Sequence, residues 1–206
     1  LRLEAPGRRT VDTDGGENGP GAVRCIVAIE NQILTRTELV VPTVVDGAIV
    51  ADPERDLLKL ACIERHGRNG GIGVGLVSGF GLRRGALGSS VGHDHHNLML
   101  VGADDHDMLV AAEHLRAMAG GFVVVADGRV IADLPLPLAG LITDEPLETV
   151  RAALDALDDA TEALGNRLPS PFMALSFLGL PVIPSLRLTD MGLVDVAAGR
   201  LVPLFE

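Results

Sequence analysis

GIGVGLVSGFG, residues 71–81, places glycine at five of its six odd positions. Side chains alternate across an extended strand, so this spacing predicts one bare backbone face. The other face carries Ile72, Val74, Leu76, Ser78 and Phe80. Each glycine gives up extra backbone entropy on ordering, so something must approach the bare face closely: a neighbouring element, a ligand or a further domain. The stretch is not a dinucleotide fingerprint. Its glycine spacing is wrong, and Leu82-Arg83-Arg84-Gly85 does not open a phosphate-binding helix.

On the N-terminal side, VRCIVAI (23–29) and TELVVP (37–42) read as strands, and Asp46-Gly47 marks a turn before AIV. Asp52-Pro53-Glu54 has the form of a helix start, which predicts a helix through ERDLLKLACIERH (54–66) ending at Gly67. On the C-terminal side, a helix follows Asp104 or Asp105, with Met108, Ala111, Ala112, Leu115 and Met118 on one face. GFVVVADGRVIADLPL (121–136) reads as a hairpin turning at Asp127-Gly128, with or without a flanking bulge. A third helix starts at Pro146, carries Leu147, Val150, Leu154, Leu157 and Leu164 as its stripe, and ends at Gly165. FMALSFLG (172–179) follows Ser170-Pro171 as a short apolar helix, before strand-like LRL (186–188) and LVDV (193–196). Strands precede, separate and follow the helices without strict alternation. The expected class is α+β, a mixed sheet with three to four helices over residues 22–206. Residues 1–21, poor in apolar side chains, read as a linker or disordered segment.

Composition limits the partners. The 206 residues carry a formal charge of −11, against the cationic face that nucleic acid or an anionic membrane requires. Five Phe and no Tyr or Trp leave little for base stacking. Cys25 and Cys62 lie among apolar neighbours and read as reduced core residues, hence a cytoplasmic protein. No charged-then-apolar leader and no 18-residue apolar run is present, the pattern of a chain neither exported nor membrane-spanning. Leu1 rather than Met opens the sequence, as in a piece of a longer product.

Chemistry concentrates in SSVGHDHHN, residues 89–97, where half of the six histidines fall within four positions. Small residues lead in and apolar LMLVG leads out, so the cluster sits at a strand–turn–strand junction. Three readings stand beside one another. A solvated loop needs no further function. A proton-transfer or substrate-contacting site would use an imidazole that titrates near neutral pH, with an adjacent Asp to orient it. A metal site would use the His93-x-His95 spacing, which puts two imidazoles on one strand face, but no third ligand of good spacing accompanies it. His66 and His114 read as exposed helix residues. Asp104, Asp105 and Asp107 read as helix-capping charge, and Asp155, Asp158, Asp159 and Glu162 as a solvated face.

The block from Asp52 to Gly102, DPERDLLKLACIERHGRNGGIGVGLVSGFGLRRGALGSSVGHDHHNLMLVG, resembles the C-terminal domain of bacterial adenine deaminases of the amidohydrolase superfamily. The later pieces GGFVVVADGRVIADLPLPLAGL and PFMALSFLGLPVIPSLRLTDMGLVDV are similar to the same family, so the likeness covers roughly residues 23–205. The resemblance implies hydrolytic deamination of adenine to hypoxanthine and ammonia, in purine salvage. It also implies a manganese, iron or zinc ion that activates water for attack at C6. In that family the metal ligands lie in an N-terminal barrel with its own HxH strand. The present chain is therefore expected to hold no metal, to be inactive alone, and to partner such a barrel in the same chain or a separate subunit. A homo-oligomer is implied for the complete enzyme. The family pattern here is His-Asp-Ser-His-Asn, so His95 replaces a serine. The turn is expected at the active-site mouth, with His93 and Asp94 catalytic and Ser89, Ser90, His96 and Asn97 binding substrate. The other expectation is a non-catalytic purine-binding or assembly module derived from such an enzyme.

Overall fold

The structure, a computed structural model, describes residues 3–4 and 21–206. The linker expected over residues 1–21 thus lies outside the described residues, except for Leu3, Glu4 and Gly21. Eight strands form the main sheet. In spatial order they are β11 (Arg129–Pro135), β10 (Gly121–Ala126), β8 (Ala86–Ser89), β9 (Leu98–Gly102), β6 (Leu58–Ile63), β7 (Ile72–Ser78), β2 (Val23–Ala28) and β3 (Thr35–Val40). The β2–β7 pair is parallel and the remaining pairs are antiparallel, so the sheet is mixed. Short β1 (Leu3–Glu4), β5 (Ala48–Val50) and β4 (Thr43–Val45) make a second sheet. The meander β12 (Leu186–Thr189), β13 (Gly192–Asp195) and β14 (Arg200–Val202) makes a third. With helices α1 (Asp105–Ala117), α2 (Leu147–Ala163) and α3 (Pro171–Leu178), the architecture is α+β, an open sheet rather than a barrel.

Both faces of the sheet centre are covered. Ala61, Leu98, Leu100 and Val123 pack against Met108, Ala111 and Leu115 of α1. The alternate residues Leu60, Cys62, Met99, Val101 and Val124 meet Leu157 of α2, Leu175 of α3 and Leu188 of the meander. Strands buried on two faces read as continuous apolar runs rather than as alternation.

That burial corrects the helix expected over residues 52–67. The start signal produces a single 3-10 turn, Pro53–Arg55, and β6 follows at Leu58. Asp56 takes a left-handed φ of 53°, and its carboxylate accepts the N–H groups of Gly79 (2.8 Å) and Gly81 (2.7 Å). The chain is thereby turned into the sheet. LLKLACI suits a buried helix or a central strand equally well by pattern, and pairing with β7 and β9 decides between them. Its one charge, Lys59, is buried with Nζ 2.7 Å from the Asp105 carboxylate.

The glycine face of β7 is covered by this chain's own meander. A Cβ at Gly73 would fall on the Thr189 carbonyl oxygen, and one at Gly75 would lie 3.3 Å from the Leu193 side chain. Gly79 and Gly81 lie past the strand, with φ of +101° and +77°, in the turn held by Asp56.

The 121–135 hairpin turns at Asp127 and Gly128, both at positive φ, and its register shifts between Val124 and Val125 as a bulge does. Asp104 caps α1 through the Asp107 N–H. On α2, Leu157 and Leu164 are buried, whereas Leu147 and Leu154 are exposed, a correction to the expected stripe. Val150 packs against the core as expected, and Ala153, Ala160 and Thr161 complete the inner face in place of Leu147 and Leu154. Cys25 and Cys62 are free and buried, and burial pushes both thiols up to about 12. Among the described residues no helix is long and apolar enough to cross a membrane.

Candidate functional site

Residues 90–97 connect β8 to β9 at the sheet end where the β6–β7 loop also emerges. The turn between β12 and β13 and the segment around Gly140 close on the same end. The loop is anchored by Ser90, whose hydroxyl donates to the Gly140 carbonyl (2.6 Å) and accepts the Gly121 N–H (2.7 Å). Ser89 accepts the Val91 N–H at 2.9 Å. Both serines are fully buried with their hydroxyls spent on backbone. In this domain both serines build the turn through backbone hydrogen bonds.

His93 leaves this turn toward α3. Its ring stacks on Phe177 with centroids 4.0 Å apart and planes 14° from parallel. Its Nδ1 lies 3.0 Å from the Ser176 hydroxyl, and its backbone N–H donates to the Ser176 carbonyl at 3.1 Å. Asp94 was the expected orienting group. It is exposed in this domain, and the contacts on the His93 ring come from α3. Sequence reading missed Ser176 and Phe177, treating FMALSFLG as an apolar helix. The available signal was a serine on the buried side of that helix, since a buried hydroxyl needs a partner.

The following residues line an open polar pocket of about 540 Å³, whose wall comprises Glu64, His66, Asp94, His95, His96 and Asn97, among others. The pocket wall thus takes in Asp94, His95, His96 and Asn97 but not His93. His95 accepts the Asn97 N–H through Nδ1 (2.9 Å), and its ring fills the space left by Gly92 and Gly179, where a Cβ would strike it. Glycine at both positions is what admits the ring. Burial, and then the charge of His96, hold the His95 imidazole below its ordinary pKa. Burial and the Arg65 guanidinium do the same to His96, which adopts a left-handed φ of 48°. Asn97 is buried, donating to Asp190 at 3.2 Å while its Oδ1 has no partner among the described residues.

The pocket wall also contains residues that sequence reading placed elsewhere. His66 lies in the β6–β7 loop rather than on a helix, with Nε2 2.7 Å from the His95 carbonyl. Glu64 organises that loop. Desolvation opposes its charge, but the N–H groups of Gly70, His66, Arg68 and Asn69 hold its carboxyl below the ordinary carboxylate range. Arg65 donates to the His96 and Ala139 carbonyls, tying the loop to the Gly140 segment. His114 does lie on a helix, half-buried, 2.6 Å from Asp133.

Among the described residues, no three His, Cys, Asp or Glu side chains converge to hold an ion. His93 Nδ1 is engaged by Ser176 and His95 Nδ1 by the Asn97 N–H, so neither atom is turned toward a shared ion. These residues do not fit a metal.

Residues 32–200 match the family described as adenine deaminase C-terminal domain. Curated adenine deaminases are similar over nearly the whole chain. That of Oleidesulfovibrio alaskensis is 51% identical over 91% of this chain and 33% of its own length. That of Brucella abortus is 48% identical over 94% of this chain and 33% of its own. That of Moorella thermoacetica is 50% identical over 88% of this chain and 30% of its own. The chain spans about a third of the length of the curated relatives it matches.

Proposed function

The chain belongs to the adenine deaminase family, as its C-terminal domain, and from that premise we propose that it is the C-terminal part of an enzyme that hydrolyses adenine to hypoxanthine and ammonia. The remaining two thirds of such an enzyme would carry the metal-binding barrel, with manganese, iron or zinc supplying the activated water. This domain contributes the 89–97 loop to the mouth of that site. The observation that carries the reading is the placement of His93. Its imidazole is half-buried, stacked and hydrogen-bonded by a helix that is itself part of the core. A pre-positioned imidazole at a loop tip suits proton transfer or hydrogen bonding to a purine, because little ordering remains to be done when the substrate arrives.

The test is His93→Asn, made at the aligned position of the full-length Oleidesulfovibrio alaskensis relative, with kcat, KM and metal content measured separately. A kcat lower by about 10²–10⁴-fold with unchanged metal content is the expected result. Wild-type kinetics would show that the loop is structural and would favour the assembly-module reading. The isolated 206-residue chain, given manganese and adenine, should release no ammonia; turnover by the purified chain would overturn the need for a partner barrel.

A further inference from the structure

The Ser176 hydroxyl has one proton to give. It lies 2.7 Å from the Met173 carbonyl oxygen, which can only accept, so the proton points there. The Ser176 hydroxyl oxygen is also 3.0 Å from Nδ1 of His93. With its proton committed to Met173, Ser176 can only accept from the ring, so the proton between them belongs to Nδ1. In the neutral imidazole one nitrogen is protonated and the other is not. Nε2 is therefore the atom with the free lone pair, and among the described residues no group hydrogen-bonds to it.

From this geometry we propose that Ser176 is a positioning residue: it holds His93 as the Nδ1–H tautomer, so that Nε2 is presented as an acceptor for an N–H or O–H donor of the substrate. The second half rests on the reading that this loop faces substrate. A purine amino group or ring N–H, or the water that attacks it, is a donor of the required kind. An Nε2–H tautomer would meet the purine N–H groups donor to donor and could not take a proton from the water.

The surroundings make the choice of tautomer rigid. Rotating the ring by 180° would exchange Nδ1 for a carbon and lose the Ser176 bond, while the stacked Phe177 face opposes any tilt. The backbone bond from His93 to the Ser176 carbonyl fixes the loop to the same turn of α3. That turn is fixed in its own right. Leu175 and Leu178 are buried in the core, and buried Arg187 donates to the Phe177, Ile183, Ile33 and Pro184 carbonyls.

Long-range ¹H–¹⁵N spectra of the ¹⁵N-labelled 206-residue chain, at about two pH units above the ordinary histidine value of about 6.5, read the tautomer directly. A His93→Asn spectrum identifies its signals. The expected result is a protonated, pyrrole-like Nδ1 and an unprotonated, pyridine-like Nε2. Ser176→Ala should shift the population toward Nε2–H while leaving the other five histidines unchanged, and Ser176→Thr, which keeps the hydroxyl, should restore it. An Nε2–H tautomer in the wild-type chain overturns the assignment whatever the variants do. An unchanged His93 spectrum in Ser176→Ala overturns Ser176 as its cause. At the aligned positions of the full-length relative, Ser176→Ala should lower kcat/KM about tenfold, with Thr restoring it. If the spectra are as expected but Ser176→Ala and His93→Asn both leave kinetics untouched, the tautomer stands and the reading of the loop as substrate-facing falls.

Discussion

Replacing Gly73 by alanine is a sharp test of how the meander covers the sheet. Gly73 and Gly75 share a strand and a face, and both are buried. Alanine at either relieves the extra entropy that glycine loses on ordering, a gain of about 0.5–1 kcal/mol. They differ in what a methyl group meets. At Gly75 it meets the flexible end of Leu193 at 3.3 Å, which can move by a few tenths of an ångström. At Gly73 it meets the Thr189 backbone carbonyl at far less than van der Waals separation, and no rotamer relieves that contact. The β12–β13 turn must shift as a unit, loosening Leu186, Leu188 and Leu193, each at most 3% exposed. Overpacking of a core costs about 1–3 kcal/mol, and a backbone obstacle puts Gly73→Ala near the top of that range. Gly75→Ala should stay within about 1 kcal/mol of wild type. Set against the entropic gain, a net loss of about 2–2.5 kcal/mol remains; for a domain of this size 1 kcal/mol moves Tm by roughly 2–4 °C, so Gly73→Ala should melt about 4–10 °C lower. Urea unfolding and calorimetry of both variants measure the difference. Equal midpoints for the two would refute the proposed packing of the meander on this strand.

Three further outcomes are expected. Asp56→Ala removes the acceptor of two backbone N–H groups and should cost about 2–4 kcal/mol in urea unfolding; a loss below about 0.5 kcal/mol would separate that carboxylate from the formation of the turn. Cys25 and Cys62, with thiols pushed up to about 12, should resist a thiolate-selective disulfide reagent at neutral pH in the native chain and react in denaturant; rapid native labelling would contradict their burial. His95 is held neutral when folded, with a pKa below its ordinary 6.5, so the unfolded chain binds a proton that the folded chain refuses. Stability should be full above about pH 6.5 and fall as pH drops toward the folded value; His95→Ser should flatten that slope, and identical slopes between about pH 7.5 and 5.5 would refute the assignment.

Local chemistry was legible wherever the residues answer to their immediate neighbours. Asp127-Gly128 dictates a hairpin because both residues tolerate positive φ, and Asp104 caps α1 because its carboxylate reaches an N–H three residues on. Glycine at alternate positions of 71–75 required a close neighbour, and the pattern of small and polar residues placed the histidine cluster at a strand–turn–strand junction. Tertiary structure decided the rest. LLKLACI became a strand through its pairing with β7 and β9, and burial on both faces erased the alternation by which a strand is read. The Thr189 carbonyl came to cover Gly73, and Ser176 and Phe177 came to hold His93, across separations of more than 80 residues that no local spacing encodes. What each histidine of the 89–97 loop touches followed from the same packing: the direction of a side chain in a turn is fixed by whatever the turn is pressed against.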